Sequence, residues 1–228
     1  MLLKDLINGL SSLVFPPICK SCNKRIDSNK DVICRECWNR LECVDSALFS
    51  HKEIPENIDK VFAIFQFNDL FRKIVHALKY QGNKSIGFEL GKHMSIFIKP
   101  EMIKEDESAF VPIPLHPIKY RERGYNQAEA IARGLSIGLN IPVETKLIKR
   151  VKNTSTQTKL NAEERRANME NAFAIVNDSK KIKQVVLVDD VFTTGSTMNS
   201  AAKVLKEKGF DRVIGLVAAT PAEKLNNC

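Results

Sequence analysis

A chain of 228 residues is long enough for one medium domain plus a small module. Its 43% hydrophobic and 27% charged residues are ordinary globular usage, which excludes wholesale disorder, collagen and a long coiled coil. The net charge of +8 is unevenly placed: residues 116–183 hold 14 lysines and arginines against 7 acids, whereas residues 1–60 hold 9 of each.

In chain order, Leu2, Leu3, Leu6, Ile7, Leu10, Leu13 and Val14 repeat at helical spacing, and Pro16-Pro17 stop the pattern. Only Lys4 offers this helix a basic polar face, which favours docking on the body of the protein over lying on a membrane. Lys4, Asp5, Asn8, Ser11 and Ser12 interrupt any signal-peptide core. No apolar run reaches the roughly 18 residues of a membrane span. The expected location is the cytoplasm.

Two Cys-x-x-Cys knuckles follow, Cys19-Lys20-Ser21-Cys22 and Cys34-Arg35-Glu36-Cys37, separated by eleven residues. Each knuckle aims two thiolates at one point, and two knuckles complete a tetrahedron for Zn2+. A redox protein would use one such pair beside a βαβ unit, and a disulfide framework does not suit a cytosolic chain. Four thiolates leave no open coordination position, so the ion is structural. Cys19, Cys22, Cys34 and Cys37 are therefore the expected metal ligands of a module spanning residues 1–55.

From residue 56 a second domain is expected to run to residue 228. Strand-like runs at 61–67, 109–114, 142–147, 173–176, 185–188 and 213–218 alternate with helical patterns at 70–82, 86–98, 127–139 and 196–208. Such alternation predicts an α/β fold with a parallel sheet flanked by helices. The polar stretch 149–171 exceeds the roughly 12–15 residues of an ordinary loop, which marks it as a functional flap. The basic excess at 116–183 suits a local anion site; a solvated lysine-rich face has the same charge.

Chemistry concentrates in Val185-Val186-Leu187-Val188-Asp189-Asp190-Val191-Phe192-Thr193-Thr194-Gly195-Ser196-Thr197. An unbroken apolar run is a strand buried on both faces, and ligands of parallel sheets bind at its carboxyl end. Gly195 permits close backbone approach, while the hydroxyls of Thr193, Thr194, Ser196 and Thr197 and the following helix amides suit a phosphate. Asp189 and Asp190 would repel phosphate, so they face sugar hydroxyls or a divalent cation. The whole is a ribose-phosphate site.

That string resembles the 5-phosphoribosyl 1-pyrophosphate (PRPP) motif of type I phosphoribosyltransferases. Together with the cysteine knuckles, Val111-Pro112-Ile113-Pro114-Leu115-His116-Pro117, Arg121-Glu122-Arg123-Gly124-Tyr125-Asn126-Gln127 and the flap residues Thr156, Gln157, Leu160, Arg165, Asn168 and Phe173, it resembles the ComF competence-protein family. The resemblance implies a phosphoribosyltransferase-like domain behind a zinc module. It also implies a role in handling incoming single-stranded DNA during natural transformation, beside a DNA-translocating helicase partner. By resemblance, Asp189 and Asp190 take the ribose hydroxyls as the catalytic acids, with Mg2+ accompanying PRPP. Residues from Val191 and Thr193 to Thr197 take the 5′-phosphate, and Arg121, Arg123, Gln157 and Arg165 serve pyrophosphate and flap. Arg121, Arg123, Tyr125, Arg150 and Lys152 are the candidate DNA contacts. Two other functions stay open: an active phosphoribosyltransferase of unknown acceptor, and a scaffold that docks the helicase.

Overall fold

The computed structural model describes residues 17–26, 31–44, 54–99, 101–103, 107–152, 172–177 and 182–221. The expected helix at 2–14 and the flap residues Thr156, Gln157, Leu160, Arg165 and Asn168 lie outside them. In chain order the elements are α1 (Arg35–Asn39), β1 (Lys60–Gln66), α2 (Asp69–Tyr80), α3 (Lys84–Ser95), β2 (Ser108–Pro112), α4 (Pro117–Arg123) and α5 (Gln127–Leu139). They continue with β3 (Ile148–Arg150), β4 (Phe173–Ile175), β5 (Gln184–Val191), α6 (Ser196–Glu207) and β6 (Arg212–Thr220).

The main sheet has the order β1-β6-β5-β2 and every neighbouring pair is parallel. β5 is central, with Val186 opposite Phe110 on one side and Ile214 on the other. Its Val185, Val186, Leu187 and Val188 have no accessible surface, as a strand covered on both faces requires. Alternation then sorts the side chains. Val186 and Val188 enter a core with α2, α3 and α5, while Val185 and Leu187 enter a second core with α6.

α2 forms because Phe71, Ile74, Val75 and Leu78 recur on one face and the Asn68 side chain accepts the Phe71 amide at 3.0 Å. α3 and α5 pack in the same direction at contact distance. A Cβ on Gly91 would stand 2.0 Å from the Ile131 carbonyl oxygen, and one on Gly134 would stand 2.1 Å from that of Phe88. Glycine is what lets these two backbones touch.

Three sequence expectations change. The strand expected at 142–147 is reduced to a single bridge between Val143 and Phe110, because Pro142 cannot donate to a ladder. The strand forms instead at 148–150 and pairs antiparallel with 173–175, so these two segments make a separate ribbon outside the parallel sheet. Residues 117–123, where the sequence pattern placed no helix, are helical: Pro117 opens α4 and Gly124, at φ 76°, closes it.

The cysteine segment does not stand apart from this body. Cys19, Ile33, Cys37 and Leu41 belong to the same buried cluster as Phe71, Leu90 and Val186. Trp38 rests on His93 of α3 with ring centroids 4.9 Å apart, and the half-buried Glu89 of α3 feels the Val32 amide and the Trp38 side chain, which counter the effect of burial on its carboxyl. No helix among the described residues is long and apolar enough to cross a membrane.

Candidate functional site

β5 delivers Asp189 and Asp190 to the carboxyl edge of the sheet, on the floor of a cavity of about 620 Å3. Asp190 is buried and its Oδ2 lies 2.7 Å from Lys79 Nζ, at the end of α2. The Asp190 amide donates to Asp189 Oδ1 at 2.9 Å. Burial first, and the Asp190 charge second, push the Asp189 carboxyl up to about 7, against the opposing pull of Lys79 and Arg150.

Around these acids stand four cations among the described residues: Lys79, Lys119, Arg123 and Arg150. They crowd one another. Lys119 is held below the usual lysine range by burial and then by the charges of Arg150 and Arg123. Such repulsion is tolerated where a polyanion is to be received. The guanidinium of Arg150 sits 5.5 Å from the centroid of the Phe173 ring, and burial pulls its pKa down while Asp189 raises it. Gln127 presents a buried Oε1 without a hydrogen-bond partner among the described residues.

At the mouth of α6 the geometry suits a phosphate. Gly195 has φ 73° and caps the helix with no side-chain hydrogen bond, leaving first-turn amides to other acceptors. A Cβ at Gly195 would meet the Phe192 ring at 2.6 Å and Pro55 at 2.8 Å. Thr197 lines the cavity, Thr194 Oγ1 and Ser196 Oγ are 2.9 Å apart, and Thr193 is exposed beside them. Val191 completes the strand opposite Ala219.

The structure redistributes the expected contacts. Arg123 lines the cavity, whereas Arg121 is exposed outside it. Arg150, expected as a DNA contact, is correspondingly a cavity residue: β3 returns it over Phe173 toward Asp189. Lys152 is exposed beyond it. Tyr125 is half-buried with its hydroxyl donating to the Leu78 carbonyl, so only part of its ring is open. Gln157 and Arg165 lie outside the described residues. Lys79, Lys119 and Gln127 went unassigned in the sequence. Lys79 sits 32 residues before the nearest motif, which opens at Val111, and only the α2 periodicity ending beside the sheet edge pointed to it.

A second cluster joins both knuckles. The sulfurs of Cys19, Cys22, Cys34 and Cys37 all lie within 4.8 Å of one another. Cys19 and Cys37 are 3.8 Å apart and Cys22 and Cys34 are 3.7 Å apart. A tetrahedron with metal–sulfur bonds of about 2.3 Å has edges of about 3.8 Å. The Cys34 amide donates to the Cys19 sulfur at 3.3 Å, the kind of outer contact that orients a thiolate ligand. The four cysteines can hold one metal ion.

Comparison with known proteins gives a consistent family. The phosphoribosyl transferase domain family matches residues 121–226. "Competence protein F" of Haemophilus influenzae is 31% identical over 202 residues, spanning 86% of this chain and 87% of that protein. "Competence protein ComFC" of Bacillus subtilis is 30% identical over 196 residues, 84% of this chain and 72% of that protein. "DNA utilization protein YhgH" of Escherichia coli O157:H7 is 25% identical over 197 residues, 84% of this chain and 85% of that protein.

Proposed function

Because the chain belongs to the competence protein F family, we propose that it handles incoming single-stranded DNA in natural transformation and binds PRPP in the acid-floored cavity. The observation that carries the PRPP reading is the pairing of Asp189 and Asp190 with four surrounding cations at the carboxyl end of the central strand. The acids suit ribose hydroxyls, the α6 turn suits the 5′-phosphate, and Lys79, Lys119, Arg123 and Arg150 suit pyrophosphate. Asp189 and Asp190 offer hard oxygens to a Mg2+ ion chelated by PRPP, which would neutralise charge on the pyrophosphate. Zn2+ is the ion whose bond length and thiolate preference fit the four-cysteine cluster, and it is structural there.

The same cavity favours a second reading, a working phosphoribosyltransferase. In that reaction an acceptor nucleophile bonds to C1 of the ribose as the bond from C1 to pyrophosphate breaks. The chain's part is to hold the ribose and balance the charge of the leaving group. The helicase partner belongs to this proposal through the family resemblance alone.

Calorimetric titration with Mg·PRPP tests the ligand. Wild-type protein should give a heat of binding at millimolar PRPP or below, and Asp189→Asn should lose most of it while remaining folded, with a melting temperature no lower than wild type at neutral pH. Absence of heat for the folded wild-type protein would remove PRPP as the ligand and leave the scaffold reading.

A further inference from the structure

We propose that a second hollow, between α3, α4 and α5, takes an unpaired base of single-stranded DNA; this rests on the DNA-handling reading above and specifies where the base sits. The hollow measures about 420 Å3, within the range of ligand pockets, and shares only Asn126 with the acid-floored cavity. Its walls include Phe88 and Tyr120, which are 38% and 48% exposed.

Exposed aromatic rings are sparse among the described residues, and their distribution is uneven. Among the described residues Tyr80, Phe88, Phe97 and Tyr120 are the exposed ones, and three of these four border the two cavities. The Tyr125 ring backs the hollow in a fixed pose because its hydroxyl is spent on the Leu78 carbonyl. Charge completes the picture. Lys84 stands on the rim with no ion-pair partner among the described residues, and Arg133 beside it is paired with Glu129 at 2.7 Å. Arg123, over the Tyr80 ring at 5.8 Å, carries positive charge on toward the other cavity. Aromatic faces interleaved with cations are how proteins hold single strands without reading sequence.

The polar groups decide between a strand and a free small molecule. A small-ligand site carries buried polar atoms that read the ligand's edges. Asn126 is the buried polar residue here, and both ends of its amide are engaged: Nδ2 donates to the Ile113 carbonyl at 2.9 Å, and Oδ1 accepts from the Ala128 amide at 3.1 Å. The other polar side chains of the lining, Ser85 and the Glu129–Arg133 pair, are exposed or half-buried, so the hollow offers ring faces and an open polar rim and no buried, unengaged polar side chain. A base would dip in and stack while its backbone runs along the rim.

The test is fluorescence anisotropy with a short labelled oligothymidylate and full-length protein. Phe88→Ala and Tyr120→Ala should each weaken binding roughly tenfold, with Tyr120→Phe close to wild type. Lys84→Gln should flatten the log–log salt dependence by about 0.7. Ile96→Ala, an exposed apolar change at the far end of α3, should leave affinity unchanged. Heats of Mg·PRPP binding should be the same in Phe88→Ala and wild type, which also reports that the variant is folded. If wild-type protein binds no oligonucleotide, the DNA-handling reading falls and this placement falls with it. If wild type binds but both alanine variants bind equally well, DNA handling stands and the hollow is overturned. Competition by free thymidine monophosphate at the oligonucleotide's own affinity would also overturn it, in favour of a small-ligand site.

Discussion

Lys79 and Asp190 change what a substitution at the acid pair should do. With Nζ and Oδ2 2.7 Å apart and the carboxylate buried, removing either charge strands the other in a place poor in water. Lys79→Met and Asp190→Asn should therefore each lower the melting temperature, and the double variant should lose less than the sum. A double-mutant cycle should give a coupling of about 2 kcal/mol, and a coupling near zero would mean the pair is not formed in solution. Asp189 behaves in the opposite way. Its carboxyl titrates near 7 in the native protein and near 3.8 as a free group, so between those values the folded state binds more protons than the unfolded one. Stability from this group is full below about pH 3.8 and is lost as pH rises toward 7, whereas the carboxylate suited to ribose appears only as pH passes 7. Mg·PRPP affinity should consequently rise between pH 6 and pH 8 in wild type, and Asp189→Asn should lack that component. The acids and the Thr193–Thr197 turn were legible because they form one contiguous string, and the cysteines because two knuckles of the same spacing call for each other. Lys79, Lys119 and the inward turn of Arg150 were not, because a cation's role depends on which elements bring it to the same cavity.

Helices α3 and α5 are joined through backbone contact, and that contact is invisible to hydrophobic periodicity. Glycine inside a helix weakens it by propensity alone, yet Gly91 and Gly134 are where these two helices touch. Gly91→Ala should drive a methyl group against the Ile131 carbonyl, costing about 3 kcal/mol. For a chain of this size that is roughly 6–12 °C in melting temperature. Ile137→Ala, on the exposed face of α5, should shift it by little. Equal melting of Gly91→Ala and wild type would contradict the close approach. The main elements followed from pattern because buried strands and one-sided helices carry periods that survive any tertiary context. The β3–β4 ribbon did not, since two three-residue strands hold too few residues to show a period and owe their pairing to each other. α4 could have been read from Pro117 and Gly124 at its ends, but no residue of it is buried, so it has no apolar stripe.

At the scale of the whole molecule the two candidate sites are connected through one core. The cysteine cluster packs Cys19 and Cys37 into the apolar cluster that holds Leu90 of α3. Trp38 and Glu89 link α1 to the same helix, and α3 is locked to α5, whose first residue Gln127 lines the acid-floored cavity. Glu89 is pushed up to about 7 by burial and the nearby Asp31 charge, so this junction is less favourable when the carboxyl ionises at high pH. A bound metal fixes four side chains of this layer at once, and its binding energy is folding energy for the segment it organises. Removing it should then loosen more than the segment that ligates it. Hydrogen exchange after chelation, or in Cys19→Ser, should accelerate first in residues 17–44 and next in α3. The central strands β5 and β6, buried on both faces, should keep their protection. Mg·PRPP affinity should fall with the loss of α3 as a support for α5, although none of the four clustered cysteines lines the cavity. Exchange changes confined to residues 17–44, with PRPP affinity unchanged, would show that the cysteine module folds and unfolds independently of the sheet, and that the shared core does not couple them.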